Sequence, residues 1–203
     1  MLSAIINRRS IRKYKNIPVS KHDIEEIIQA GILAPSSKNR QPWKFIVVTG
    51  KAKDDMITAM DKGLKREKEK PFLPESTRFL CGAAYSLKIM EQAPAVIFIV
   101  NSLGIDMQYP ANPEERIYEI CNAQSIGAAI ENMTLTATEL GLGSLWICDT
   151  YFAYKELKDW LHVRGELAAA LAIGYADEIP PARPRKSKAD VVEWRDTETE
   201  GRS

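Results

Sequence analysis

Arg8, Arg9, Ser10, Ile11 and Arg12 put three guanidiniums and a hydroxyl on five consecutive residues. Guanidinium forks donate in pairs to phosphate or carboxylate oxygens, and a serine hydroxyl adds a compact donor. This set suits the grip of a multivalent anion, either a phosphate or an extended heterocyclic anion. A basic run near a terminus is commonly a solvated turn. Two further stretches favour the binding reading here. They are the loop Pro35-Ser36-Ser37-Lys38-Asn39-Arg40-Gln41-Pro42-Trp43, rich in short donors and acceptors, and the segment Gly141-Leu142-Gly143-Ser144-Leu145-Trp146-Ile147.

Other chemistry-bearing residues read as structural. Gly141-Leu142-Gly143 lies in the order helix, glycines, strand, the reverse of a dinucleotide fingerprint, and is expected to stop a helix. His22 and His162 have no triad partner nearby in sequence. Cys148 is expected to be packed in a strand. Lys62, Lys65, Arg66, Lys68 and Lys70 read as a solvated helical face, not a nucleic-acid site.

Composition narrows the classes. Lys plus Arg total 28 against 27 Asp plus Glu, a net charge of +1, so no global field draws the chain to nucleic acid or an anionic membrane. Any anion site must be local. Cys81, Cys121 and Cys148 are odd in number and lack metal-type spacing, which predicts a reducing, cytoplasmic setting without a metal site. No stretch approaches the ~20 apolar residues of a membrane span. The 203 residues suffice for one domain covering 1–203.

The elements that must position these groups follow from periodicity. Leu2, Ile5 and Ile6 predict a short helix before the basic cluster. Ser20 is the expected cap of a second helix, with Ile24, Ile27, Ile28 and Ile32 as its buried stripe and Pro35 beyond its end. Residues 43–49 read as a strand inside a sheet. The 51–92 stretch reads as helical, with breaks at Pro71 and Pro74, and is a candidate lid. Residues 95–100 form a second strand. The longest helix is expected over 113–140, buried on most sides through Ile117, Ile120, Cys121, Ala128, Ile130, Met133 and Ala137, and of a kind shared with a partner subunit. Strands over 144–148 and 167–176 flank a helix at 155–161, and 177–203 is an extended tail. Trp160 and Trp194 are expected on surfaces or a dimer seam. The alternation predicts an α+β or α/β layered fold around one mixed sheet of four or five strands.

The three motifs, in this order and followed by Arg183-Pro184-Arg185, resemble the FMN-dependent nitroreductase family over nearly the whole chain. That resemblance implies a mainly antiparallel sheet flanked by helices, in an intertwined homodimer with FMN in the interface. It further implies a ping-pong oxidoreductase in which NAD(P)H reduces FMN and a nitroaromatic, quinone or similar acceptor reoxidises it. Carried over by position, Arg8 and Ser10 match phosphate ligands, with Arg9 alongside, and Arg12 matches the basic residue at flavin N1 and O2. Arg183 and Arg185 match the tail cations that close on the phosphate. Pro35, Ser36, Ser37 and Asn39 match a loop laid against the ring by the second subunit, and Ser125 a polar residue near the pyrimidine edge. Trp146, Ile147, Cys148 and Asp149 fall where backbone N–H groups face N5; many relatives have glycine, or glutamate then glycine, where this chain has Cys148-Asp149. Hydride chemistry would belong to the flavin, so no catalytic side chain is required. A flavin reductase or dehalogenase of the same fold, or a flavin-binding protein with little turnover, is the alternative.

Overall fold

The computed structural model describes residues 1–72, 75–106, 109 and 111–195. Pro74 and the last part of the tail, 196–203, lie outside the described residues. Its helices are α1 (Ser3–Asn7), α2 (Lys21–Ile32), α3 (Ala52–Glu69), α4 (Leu80–Gln92), α5 (Pro113–Glu139), α6 (Tyr154–Leu161) and α7 (Lys188–Val191). The strands β1 (Trp43–Thr49), β2 (Ala95–Asn101), β3 (Gly143–Ile147) and β4 (Glu166–Gly174) form one sheet in the order β1-β2-β4-β3. An antiparallel sheet packed with helices makes this an α+β fold. Among the described residues all three strand pairs are antiparallel, and the one parallel contact is the isolated bridge Ser10–Ser144.

Period-2 alternation explains the two layers of core. On β2, Val96, Phe98 and Val100 face one side with Met56, Met60, Ile89, Met90 and Leu157. Ala95, Ile97 and Ile99 face the other with Ile24, Ile27, Ile130 and Met133. Helices therefore cover both faces, and every residue of β2 is buried. Each large side chain fully removed from water contributes about 1.5–3 kcal/mol. The 51–92 stretch supplies α3 and α4 to the first of these layers. Strand β1, expected inside the sheet, is an edge strand and only Val48 is buried in it; its apolar run serves the helices, not a second neighbouring strand.

Local signals set the helix ends. The Ser20 hydroxyl accepts from Asp23 N at 3.0 Å, and Gly141 takes a left-handed φ of 73° just past α5. Asn112 and Glu115 close a capping box at the start of α5, with Pro113 in its first turn. Several expected burials fail. Ile32, Ile117 and Ile120 are exposed because, among the described residues, no element covers that side of α2 or the first turns of α5. Trp160, expected on a surface or seam, packs edge-on against the buried Phe98 at 5.9 Å. Arg66, expected in solvent, pairs with Glu156 at 2.9 Å and with the buried Glu67, tying α3 to α6.

Candidate functional site

Residues 10–15 are the element that positions the basic cluster. They run extended between the start of β3 and the chain leaving β4. Ile11 N donates to Ser144 O, Lys15 N to Tyr175 O and Asp177 N to Lys13 O, each at 2.9 Å. Ile11 and Tyr14 point inward and are buried. Gly143 is glycine for a steric reason here, since a Cβ would lie 2.7 Å from Ile11 Cγ1. The buried Tyr14 hydroxyl donates to Ile11 O at 2.9 Å, and desolvation, then the nearby Glu178 carboxylate, push its pKa up. The strip is thus stitched by backbone from both sides and pinned from below.

That stitching brings the chain's two ends together. Arg8, Arg9, Ser10 and Arg12 line a cleft of about 660 Å³ with residues 180–185, including Arg183 and Arg185; Ile5 and Ile6 form an apolar wall. Arg12 N donates to the Glu178 carboxylate and its guanidinium to Ser10 O at 3.2 Å. Arg9 is folded onto Ile6 O and Arg8 O at 2.7 and 2.8 Å. Arg8 meets Glu131 at 3.5 Å, a partly exposed pair worth about 0–1 kcal/mol and easily exchanged for a stronger anion. Among the described residues, Arg185 reaches only backbone oxygens, at 3.3 Å, and the Arg183 side chain makes no hydrogen bond or ion pair. The cleft therefore offers exchangeable guanidiniums and a hydroxyl without a deeply buried carboxylate to neutralise them, a donor set that fits a phosphate group.

The other sequence-derived residues form two separate places. Ser36, Ser37 and Asn39 belong to a tight loop in which Lys38, Asn39 and Gln41 all have positive φ. Such conformations cost non-glycine residues about 1–3 kcal/mol each and persist only where the surroundings enforce them. Ser36 Oγ accepts from Gln41 N at 3.0 Å, and Ser37 N donates to Ser125 Oγ at 3.3 Å. Ser125 is buried on α5 and donates to Cys121 O at 2.7 Å. Arg40 stacks on Tyr118 at 4.6 Å. Pro35 and Asn39 face outward, and none of these loop residues lines the basic cleft.

Trp146 and Ile147 end β3, with Trp146 exposed and Ile147 buried. Cys148, expected inside the strand, lies beyond it and is exposed, because the backbone turns there into a 3-10 helix at Asp149–Ala153. Partial desolvation, then the Asp149 carboxylate, raise its thiol pKa. Asp149 accepts a short hydrogen bond from Ser86 of α4.

Sequence reasoning did not single out Glu178, Ser86 or Glu166. Glu178 and Ser86 act through contacts 166 and 63 positions away in sequence, which leave no local signature. Among the described residues there is no cluster of His, Cys, Asp and Glu suited to a metal, and no helix is long and apolar enough to cross a membrane.

The comparisons with known proteins agree with this geometry. A protein of Archaeoglobus fulgidus, provisionally named NADH dehydrogenase/NAD(P)H nitroreductase, is 34% identical over 146 residues, spanning 72% of this chain and 66% of that protein. A Desulfovibrio desulfuricans structure, provisionally named a nitroreductase and solved in complex with FMN, superposes with a TM-score of 0.69 at 27% identity, covering 95% of both chains. A BluB-like flavoprotein from Clostridium difficile superposes with a TM-score of 0.71 at 27% identity, covering 95% of this chain and 97% of its own. The model of the Nitroreductase family matches residues 5–175, from α1 through β4 and so across the strip that carries the basic cluster: the chain belongs to the Nitroreductase family.

Proposed function

We propose that the chain is an FMN-dependent oxidoreductase that takes electrons from NADH or NADPH and passes them, in ping-pong order, to a nitroaromatic, quinone or similar electrophile. The observation that carries this reading is the cleft where Arg8, Ser10 and Arg12 meet Arg183 and Arg185. The FMN phosphate is a dianion with acceptor oxygens that match these forks, and charge-assisted hydrogen bonds contribute about 1.5–3 kcal/mol each. When bound, FMN would supply the hydride chemistry.

The chain's residues divide the remaining work. Arg8 and Ser10 hold the phosphate from the N-terminal strip, with Arg9 beside them, and Arg183 and Arg185 close from the tail. Arg12, held on Glu178 and Ser10, sits at the N1/O2 edge, where a fixed cation favours added negative charge. The backbone around Trp146, Ile147, Cys148 and Asp149 meets the N5 edge, and Ser125 lies toward the pyrimidine.

Pro35, Ser36, Ser37 and Asn39 reach the ring from a second copy of the chain. Two facts support that assembly. The loop does not line the cleft of its own chain, and Leu2, Ile5, Ile6, Ile117 and Ile120 leave apolar surface bare. We place the protein in the reducing cytoplasm, in keeping with the free thiols of Cys81, Cys121 and Cys148.

The test is the absorbance of FMN-loaded protein, followed anaerobically as each nicotinamide is added. Bleaching of the flavin band, reversed by a quinone or nitroaromatic, is expected. Protein that takes up no FMN ends the reading, and bound flavin that neither nicotinamide bleaches reduces it to a flavin-binding protein.

A further inference from the structure

We propose that Ser86 is a positioning residue: by donating to Asp149 it holds that carboxylate, and the turn after β3, at a set place beside the reacting edge of the bound ring. The proposal rests on the FMN reading above and deepens it.

Ile147 and Thr150 on either side of the turn are buried, but the exposed Cys148 and the Asp149 side chain between them have few other bonds to fix them. Cys148 follows β3 with φ −94° and ψ −16° and no side-chain cap. The local bonds across the turn are long, Tyr151 N to Cys148 O at 3.3 Å and Thr150 Oγ1 to Cys148 O at 3.4 Å. Bonds of that length constrain weakly. The tight contact comes instead from α4, where the Ser86 hydroxyl donates to Asp149 Oδ2. Ser86 is 8% exposed, and Ala83, Ile89 and Met90 on the same helix are 0–2% exposed. Helix α4 is therefore packed into the core at this point, and the place of Asp149 is referenced to it.

A carboxylate there has an electrostatic consequence. Negative charge beside a ring that gains electrons disfavours the reduced form. A hydroxyl donor draws part of that charge and keeps the carboxylate on the α4 side. Ser86 thus sets how strongly Asp149 opposes reduction. The same carboxylate already acts on its neighbour, adding to burial in raising the pKa of the Cys148 thiol.

The test is a double-mutant cycle read as the midpoint potential of bound FMN. Asp149→Asn is expected to raise the potential and Ser86→Ala to lower it. In the Asp149→Asn background the serine change should have no further effect, because the group it acts through is gone. Ser86→Thr, which keeps the hydroxyl, is expected to restore the wild-type value.

A flavin-free readout runs alongside, the pH profile of Cys148 alkylation followed by peptide mass spectrometry. Ser86→Ala should move the thiol pKa up and Asp149→Asn should move it down. An FMN-loaded Ser86→Ala protein with the wild-type potential, or additive effects of the two changes, overturns the positioning role while leaving the proposed function intact. If wild-type protein binds no FMN, that function fails, and the ring-positioning role fails with it. The alkylation profile then still decides the tether, which an unchanged Ser86→Ala profile would refute.

Discussion

The backbone N–H of Arg12 donates to the side-chain carboxylate of Glu178, joining residues 166 positions apart. This bond puts an acid at the edge of a basic cleft, so removing it has two opposed effects. Loss of the charge strengthens the local positive potential, but at a half-exposed position that term is screened. Loss of the acceptor frees the start of the tail that carries Arg183 and Arg185. A hydrogen bond to a charged acceptor contributes about 1.5–3 kcal/mol, so the tether is expected to win. Glu178→Ala should weaken FMN binding by about tenfold, whereas Glu178→Gln, which keeps an acceptor, should stay within about threefold of wild type. Fluorescence titration at fixed ionic strength measures both. Tighter binding in Glu178→Ala would show that the charge outweighs the tether.

Glu166 carries the second prediction. Burial, then the carboxylates of Glu119 and Asp106, push its pKa up to about 7 against the opposing pull of Lys158. The folded protein therefore holds this proton more tightly than the unfolded chain. The sign follows from linkage: the contribution to stability is fully present below the unfolded value near 4.5 and is lost as pH rises through about 7. The side chain is partly exposed, so after discounting for screening the effect is about 1 kcal/mol. Glu166→Gln should be more stable than wild type by about that amount at about pH 8, and nearly equal to it at about pH 5. Urea midpoints across that range test this. A constant difference at every pH would remove Glu166 as the cause.

Much of this was legible in the sequence where the cause is local. The bounds of β1, 43–49, are legible because an apolar β-branched run acts within the strand, whereas its place at the sheet edge is not. The Ser20 cap and the Gly141 stop were read because each works through its own neighbours. The basic strip and the tail arginines were named from residue type and resemblance, and the cleft brings them together. What escaped has non-local causes. Glu178 and Ser86 look like ordinary polar residues until backbone pairing and helix packing bring their partners to them. Arg66 reads as solvated because its charge run masks the neighbouring Glu67 and because Glu156 lies 90 positions away on α6. Trp160 looked like surface cover because Phe98 lies on a strand far from it in sequence. The exposed Ile117 and Ile120 invert the rule that apolar periodicity means burial, since no element among the described residues of one chain covers them.

Those two isoleucines carry the last prediction. Ile117 is 60% exposed and Ile120 53%, on the half of α5 that follows the Asn112 cap. In a single chain, replacing them with charged residues removes almost no core contact, so the fold should tolerate it. In an assembly whose seam includes this face, the same charges would be buried without partners, a penalty of several kcal/mol per ion. Ile117→Glu with Ile120→Glu is therefore expected to give a folded monomer by light scattering. If the loop of Pro35, Ser36, Ser37 and Asn39 is supplied by a second copy, that monomer should also lose bound FMN, although Arg8, Ser10, Arg12, Arg183 and Arg185 are untouched. Monomer that keeps its full flavin content would show that one chain builds the site alone. Dimer that survives both charges would place the seam elsewhere on the surface.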